Sequence, residues 1–476
     1  MKEGYIKQDD RKKILLLTDD IRVHSGVAQI GREIISKTSH RYNWCQLAGS
    51  VKHPEKGKVQ DISADINKQE GIEDTYCKLY PVDGYGTSDI LREVIKIEKP
   101  DAILLITDPR YFQWVFQMED EIRTKIPIAY LNIWDDMPAP QYNEEFYESC
   151  DALFGISKQT TAINKIVLGD KAKDKIIEYI PHGLDNKKFF PIVEKDEEFI
   201  KFKNLLTKGV EKDFILLFNS RNIRRKSIPD AIVAWKLFTD TLSKKEKEKV
   251  QFILHTDPVS DAGTDLPAVI DYIMGDDDET VVISNQKIPH THMNYLYNMA
   301  DGVILLSSAE GWGLALTESL LTGTPIIANV TGGMQDQMRF VDENGNWYTN
   351  SKEIPSNQFG TYKEHGIWAL PVFPKAIGMV GSPQTPYIWD SRCDFREAKD
   401  RICQLHAMTP SERQRKGNAG REWALSDEAG FTAKHMGNRF IDGMEKLFSA
   451  WMPRENFTFW KDTDYKSRKL NHKLEY

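Results

Sequence analysis

Two glutamates, Glu310 and Glu318, stand eight positions apart in a stretch whose residue types could bind an anionic ligand. The apolar run 302–306 predicts a strand, and Gly311 and Gly313 predict a tight loop whose backbone can approach a ligand closely. A helix follows, so its first amides point into the loop, and such helix ends bind phosphate. The two carboxylates would flank this anion site and accept hydrogen bonds from hydroxyls of the same ligand.

The pair needs support from a second element, because the helix dipole alone also favours glutamate in the first turns of a helix. That support lies upstream, where the apolar strand 214–219 is followed by Arg221 and then by Lys226. Two cations at the carboxyl end of a strand suit a diphosphate. A ligand that has a diphosphate with hydroxyls on both sides is a nucleotide sugar.

Four motifs together resemble those of the family 4 retaining glycosyltransferases, which have the GT-B fold. They are the Arg221 and Lys226 pair, the Glu310 and Glu318 pair, the Thr331-Gly332-Gly333 loop and the segment 180–191. The resemblance is specific over residues 176 to 335 and covers the rest of the chain only in outline. The first half also resembles versions encoded by large tailed bacteriophages, which adds a modified DNA base to the acceptors considered.

The resemblance implies a role for each of these charged residues. Arg221 and Lys226 would neutralise the donor diphosphate, Glu310 would contact the donor sugar, and Glu318 would hold the ribose hydroxyls. Transfer, most simply of a hexose, would retain the anomeric configuration, with the leaving phosphate itself taking the acceptor proton. The co-substrate would be a UDP-, GDP- or ADP-sugar, with no bound cofactor and no metal.

The candidate site residues gather around these motifs and around the first helix of the chain. The loop 19–26 leads into a helix with an apolar face, so Gly26 stands where a Rossmann-like sheet presents a helix end to its ligand. The donor-binding candidates are Gly26, Arg221, Lys226, Ser284, Asn285, Glu310, Gly311, Trp312, Gly313, Leu314 and Glu318. The catalytic candidates are Arg221, Lys226, Glu310 and Asp135.

Asp135 is a candidate because the chain departs from the family at Trp134-Asp135-Asp136, where many relatives carry a His-Asp pair. Asp135 or Asp136 would take over contacts to the sugar or approach the acceptor. Either could instead cap the turn before Pro138. His24, in the first loop, is a weaker candidate that could equally be a surface histidine.

Alternating apolar runs and helical patterns predict an α/β chain with two parallel sheets. The runs are 14–18, 43–48, 102–107, 127–133, 152–156 and 176–181 in the first half, and 214–219, 250–256, 281–284, 302–306 and 325–330 in the second. The expected architecture is GT-B, in which two Rossmann-like doubly wound domains face a central cleft and a C-terminal helix crosses back to the first. The expected limits are 1–190 for the acceptor-side domain, 191–430 for the donor domain and 431–476 for the returning segment.

Length and composition agree with this plan. A chain of 476 residues suits two domains of about 200 residues each. No apolar stretch approaches a membrane span, and the first ten residues lack a signal-peptide core, so the sequence predicts a cytoplasmic protein. The net charge of −8 argues against a protein whose whole surface binds nucleic acid. Five scattered cysteines predict reduced thiols.

Two potential metal motifs are better explained without a metal. Asp276 to Asp278 resembles a D-x-D site, but it falls in an acidic loop before a strand, where a solvated charge run is expected. His290 and His292 stand at the start of a helix with no cysteine or acid at ligand spacing. The sequence therefore predicts no metal site.

The last part of the chain carries two open questions. Residues 350–392, rich in proline and glycine, predict a long insertion, and a loop of that length is often functional. Residues 431–451 predict the helix that crosses back. Beyond it, aromatics interleave with cations between Phe457 and Lys473, which would suit an anionic acceptor such as single-stranded nucleic acid, or else packing with a solvated face.

Two alternative functions stay open. Sugar-nucleotide 2-epimerases share the two-domain cleft and hold a diphosphate there, although the Arg221, Lys226, Glu310 and Glu318 combination fits transferases better. A non-catalytic nucleotide-sugar binder would explain the altered segment at Trp134. The sequence names neither the acceptor nor the oligomeric state.

Overall fold

The chain forms two separate parallel β-sheets flanked by helices, in a computed structural model that describes residues 4–193, 196–349, 352–357 and 361–455. Long apolar runs such as 14–17 are fully buried, as expected for strands covered by helices on both faces.

The strands of the first sheet lie in the order β3-β4-β2-β1-β5-β6-β7-β8, and all neighbours are parallel except β3 and β4. Their bounds are β1 Lys12–Asp19, β2 Tyr42–Ser50, β3 Gln60–Asp61, β4 Cys77–Asp83, β5 Ala102–Ile106, β6 Ile128–Asn132, β7 Ala152–Gly155 and β8 Ile176–Tyr179. The accompanying helices are α1 Gly26–Thr38, α2 Ser63–Glu70, α3 Ser88–Glu98, α4 Gln113–Phe116, α5 Glu119–Ile122, α6 Glu144–Glu148 and α7 Lys158–Leu168. The order reverses between β1 and β5, so the loops after these strands diverge and leave a crevice.

The second sheet repeats this plan in the order β11-β10-β9-β12-β13-β14, with all neighbours parallel. Its strands are β9 Phe214–Asn219, β10 Val250–His255, β11 Val281–Ser284, β12 Gly302–Leu305, β13 Ile326–Asn329 and β14 Ala369–Val372. Its helices are α8 Glu197–Thr207, α9 Ile228–Thr239, α10 Lys244–Lys247, α11 Leu266–Met274, α12 His290–Asn298 and α13 Leu314–Thr322. The order reverses between β9 and β12, the strands that precede Lys226 and Glu310.

Two further features follow β14. The strands β15 Pro374–Ser382 and β16 Thr385–Cys393 form an antiparallel hairpin that belongs to neither sheet. Three helices then complete the described chain: α14 Phe395–His406, α15 Pro410–Leu425 and α16 Ala433–Ala450.

Helix α16 packs on the first domain, as the sequence predicts. The Phe440 ring is fully buried there, with ring centroids 5.9 Å from Trp44, 5.9 Å from Phe154 and 6.4 Å from Tyr42. Gly443 allows this approach, because a Cβ at that position would lie 2.9 Å from the Phe154 ring. The returning helix is therefore part of the first domain's core.

Every strand predicted from an apolar run is present, but five of the described strands, β3, β4, β14, β15 and β16, were not predicted. β4 contains Pro81 and has alternately half-buried residues, so it lacks a continuous apolar run. The loop predicted over 350–392 is wrong, because β14, β15 and β16 lie within it. Almost all of β15 is exposed and it contains two glycines, so its sequence has the composition of a loop. The limits at residues 190 and 430 stay a prediction.

All five cysteines are free thiols, and four of them are buried. Among the described helices, none combines the length and the apolar composition needed to cross a membrane.

Replacing Phe440 by alanine should destabilise the protein, because removal of a buried aromatic ring costs about 3–5 kcal/mol. Urea unfolding followed by tryptophan fluorescence measures this loss. Phe190→Ala is the matched control, since its ring is 42% exposed. Equal unfolding midpoints for the two variants would mean that α16 contributes nothing to the core of the first domain.

Candidate functional site

A buried cluster of charges lies at the switch point of the second sheet. Lys226 ends a short 3-10 turn, Arg224–Lys226, that follows β9, and Glu310 follows β12. The Lys226 ammonium donates to Oε2 of Glu310, and Arg225 Nη1 donates to the same oxygen over 2.9 Å. Glu310 and Lys226 are each only 8% exposed. The segments that follow two neighbouring strands thus place opposite charges in direct contact.

The neighbouring cations decide the protonation of Glu310. Burial opposes ionisation of this carboxyl, but the charges of Arg225 and Lys226 outweigh it and lower the pKa of Glu310 to about 2. Glu310 is therefore ionised at neutral pH. Burial lowers the pKa of Lys226, and the charge of Glu310 opposes that shift.

Arg225 also connects this cluster to the first domain. Its Nε lies 3.5 Å from Oδ2 of Asp135, in the loop after β6, and its Nη1 donates to the carbonyl oxygen of Ala309 over 2.7 Å. Sequence reasoning missed Arg225, although the run of three cations that ends at Lys226 was a usable signal. Arg221 is exposed, and the described residues give its side chain no hydrogen bond, so it lies outside the cluster.

The glycine loop between Glu310 and α13 packs directly against the first domain. A Cβ on Gly311 would lie 2.5 Å from the carbonyl oxygen of Ile133, which no side chain tolerates. Gly313 has φ of 89° and caps α13. Trp312 is buried and donates from Nε1 to Thr317 over 2.8 Å, so its ring serves packing inside the second domain.

The amino end of α1 faces the same loop from the first domain. Ser25 caps α1 by accepting from the Ala28 amide. A Cβ on Gly26 would lie 3.3 Å from Cδ1 of Leu314, the first residue of α13. Gly26 and Leu314 therefore meet across the cleft, while His24 is exposed at its rim.

Glu318 lies buried inside α13, in surroundings that differ from those of Glu310. Its Oε2 accepts from the Tyr297 hydroxyl and, over 3.4 Å, from the Asn219 amide. Both donors are neutral, so burial prevails and raises the pKa of Glu318 to about 7.

Ser284 and Asn285 lie at the carboxyl end of β11, the edge strand of the second sheet. Ser284 Oγ is 3.1 Å from Nδ1 of His255, and Asn285 is exposed. They share the cleft edge of the sheet with the charge cluster, but β11 is separated from β9 by β10, so they lie about 10 Å away along that edge.

The two aspartates after β6 have different surroundings. Asp136 is fully buried and accepts from the Thr331 hydroxyl over 2.5 Å and from the Met137 amide over 2.8 Å. It therefore fixes the Thr331 loop of the second domain onto the first. Asp135 keeps 35% of its side chain exposed in the cleft. Burial raises the pKa of Asp135, and Arg225 opposes that shift.

The metal motifs lie away from this cleft. Asp277 forms ion pairs with Lys247 at 2.7 Å and Lys236 at 3.5 Å, before the amino end of β11 and so at the opposite edge of the sheet. His292 pairs with Glu198 at 3.0 Å. Within the described residues, no group of three or more His, Cys, Asp or Glu side chains is arranged to hold a metal ion.

Comparison with known proteins agrees with the fold. Residues 197–353 match the family model described as Glycosyl transferases group 1. Mannosylfructose-phosphate synthase of Agrobacterium fabrum is 23% identical over 210 residues, which cover 41% of each protein. The chain thus matches about two fifths of the length of this curated relative.

Solved structures resemble the chain over almost its whole length. Sucrose-phosphate synthase from Thermosynechococcus elongatus superposes with a TM-score of 0.65 at 17% identity, covering 92% of this chain and 100% of that one. Anabaena HepE in complex with UDP and glucose has a TM-score of 0.62 at 14% identity, covering 92% and 100%. These likenesses and the family match confirm the predicted GT-B fold and the resemblance to GT-B glycosyltransferases.

Replacing Glu318 by glutamine should change how stability depends on pH. The folded protein raises the pKa of this carboxyl from its usual 4.5 to about 7, so stability falls as pH rises between these values, by about 3 kcal/mol. The glutamine variant should lack this loss, so its free energy of unfolding should increase relative to that of the parent between pH 5 and pH 8. Urea unfolding at both values measures the difference, with the exposed Glu422→Gln as control. If the difference in unfolding free energy between the variant and the parent is the same at pH 5 and at pH 8, the pKa of Glu318 is not raised.

Proposed function

We propose that this protein is a retaining glycosyltransferase that moves a sugar, most simply a hexose, from a nucleotide-diphosphate donor to an acceptor hydroxyl. The observation that carries the proposal is the buried cluster of Lys226, Arg225 and Glu310 beside the amino end of α13. A cation-rich, partly dehydrated helix end at a sheet switch point is suited to a diphosphate.

The donor diphosphate would be stabilised by fixed positive charge. Lys226 and Arg225 exceed the charge of Glu310 by one, and the free amides at the start of α13 add the helix dipole. Arg221, exposed on the same loop, would add a third cation at the rim. Donors that are already oriented stabilise the charge that grows on a leaving group without further reorganisation.

The two glutamates would hold hydroxyls of the donor. Both cations bond Oε2 of Glu310, and the described residues leave its Oε1 for a hydroxyl of the donor sugar. Glu318 would accept from the ribose hydroxyls. Hydrogen bonds to a carboxylate favour its ionised form, so donor binding should lower the pKa of Glu318.

In this reaction the acceptor would approach from the side on which the diphosphate leaves. The acceptor oxygen forms its bond to the anomeric carbon while the bond from that carbon to the phosphate oxygen breaks. The acceptor proton passes to the leaving diphosphate, so no protein base is needed on the opposite face. Asp135, on the first-domain side of the cleft, would contact the sugar or the acceptor.

The comparisons support the donor half of this proposal. The family match covers residues 197–353 of the second domain, a range that includes both glutamates. HepE, which shares the fold, has been solved with UDP and glucose. We therefore take a UDP-sugar as the first donor to assay, ahead of GDP- and ADP-sugars.

Glu318→Ala should weaken donor binding, because a charged hydrogen bond contributes about 1.5–3 kcal/mol, or about 10- to 150-fold in affinity. Calorimetry with UDP, GDP and ADP measures the change. Glu422→Ala, on an exposed helix face, is the control. A Glu318 variant that binds the nucleoside diphosphate as tightly as the parent would remove Glu318 from the site.

Lys226→Ala and Arg225→Ala should each lower kcat about 10²- to 10³-fold, as the loss of one preoriented donor does elsewhere. Arg221→Ala should lower it less, since that side chain is exposed. Activity should survive EDTA, because the cations supply the positive charge. An enzyme silenced by EDTA and restored by manganese would point instead to the aspartates 276–278.

The products identify the reaction. With a radiolabelled donor and a mixed panel of acceptors, a transferase gives free nucleotide and a labelled acceptor. An epimerase gives an epimerised donor, and a non-catalytic binder leaves the donor unchanged.

A further inference from the structure

The β15–β16 hairpin reaches out of the second domain and contacts the first. Its base is held in the second domain, where the Ser391 amide donates to Ser308 O over 3.0 Å and Asn329 donates to Ser391 O over 2.6 Å. Further out, the Trp389 amide donates to Met137 O over 2.8 Å. The hairpin therefore spans the mouth of the cleft.

The outer half of the hairpin makes further contacts with the first domain. Tyr142 donates from its hydroxyl to Tyr387 O over 3.0 Å, and their rings meet edge to face at 4.8 Å. Arg110 donates to the Thr385 hydroxyl. These bonds fix the hairpin on the loops that follow β5 and β6.

A cavity of about 380 Å³ lies beneath the hairpin, beside the charge cluster. The loops after β5 and β6 form its inner wall, Arg225 and Ala309 form its floor, and Ile388 and Trp389 of the hairpin form its outer wall. The volume is that of a small-molecule site. One side of this cavity is therefore supplied by a segment that belongs to neither Rossmann-like sheet.

The lining combines apolar walls with two cations that are already paired. Ile133, Trp134 and Ile388 supply apolar surface. Of the two cations in the described lining, Arg110 bonds Asp108 through Nε over 2.7 Å, and Arg225 bonds Glu310 over 2.9 Å. With Asp135 and Asp390 also present, acidic residues outnumber basic ones in the wall. The donor diphosphate would engage Arg225, and Arg110 is paired with Asp108, so a second phosphate placed here would find no further cation in the described lining.

We infer that this cavity binds the acceptor of the proposed transferase and that the β15–β16 hairpin determines which acceptor is bound. The acceptor is an uncharged ring that bears a hydroxyl, rather than a sugar phosphate. The inference rests on the proposed function. The ring would lie against Trp389, since aromatic faces bind such rings well. Asp135, at the floor beside Arg225, accepts a hydrogen bond from the reacting hydroxyl before its proton passes to the leaving diphosphate.

Such a ring has two obvious sources, a neutral sugar or a hydroxymethylated nucleobase. The acceptor assay therefore compares methyl hexosides, 5-hydroxymethyl-deoxycytidine and hexose 6-phosphates with one radiolabelled donor. Transfer to either uncharged class, well above transfer to the phosphates, is the expected result. Preference for a hexose phosphate, or donor binding without transfer to either uncharged class, overturns the inference.

Trp389→Ala tests the role of the hairpin. It should raise the acceptor KM roughly tenfold and leave the affinity for the nucleoside diphosphate unchanged. Trp389→Phe should bring the acceptor KM most of the way back to the parent value, because it keeps an aromatic face, although it loses part of the ring area and the bond from Nε1 to Glu353 O. Met379→Ala is the matched control, since Met379 lies opposite Trp389 in the hairpin, is 57% exposed and is not part of the cavity wall.

The outcomes separate this inference from the proposed function. An unchanged acceptor KM in Trp389→Ala, with normal donor binding, contradicts the role of the hairpin and leaves the donor site intact. If the parent protein itself binds no nucleoside diphosphate, the proposed function is contradicted instead.

Discussion

Backbone atoms of the two domains are in direct contact, and the cleft depends on this constraint. Gly311 lies so close to Ile133 that a Cβ would be 2.5 Å from its carbonyl oxygen, and a Cβ on Gly332 would be 2.6 Å from the carbonyl oxygen of Asp135. The buried bond between Thr331 and Asp136 holds the same contact. Because no side chains separate these loops, the cleft is narrow at its centre, and Asp135 of the first domain meets Arg225 of the second there.

The two carboxylates of this short motif, Glu310 and Glu318, have pKa values that are shifted in opposite directions. Glu310 lies at the contact, beside two cations, and its pKa falls to about 2. Glu318, two turns further along α13, is equally buried but has only neutral donors, and its pKa rises to about 7. Environments that push the pKa values of neighbouring acids apart are typical of sites where each acid has its own task.

The donor side and the acceptor side of the proposed site have different structural origins. The charge cluster and α13 come from the switch point of a doubly wound sheet, a feature that the protein shares with the GT-B structures it resembles. The outer wall of the cavity comes from the β15–β16 hairpin, which follows the last strand of that sheet and belongs to neither sheet. Since a fold alone does not specify function, a segment outside the two sheets is where substrate preference can arise.

The sequence by itself determined the two sheets, the returning helix and the motifs of Lys226, Glu310 and Glu318, because each depends on apolar periodicity or on the short order of strand, loop and helix. Only the tertiary structure decided that Arg225, rather than Arg221, completes the charge cluster. It also decided that Asp135 faces the cleft, and that residues predicted as a loop form a hairpin. The reason is physical: the positions of Arg225 and Asp135 depend on partners more than eighty residues away, in another element or in the other domain, and no local pattern encodes that distance. The hairpin pairs locally, but its first strand is almost wholly exposed and has the composition of a loop, so apolar periodicity does not reveal it.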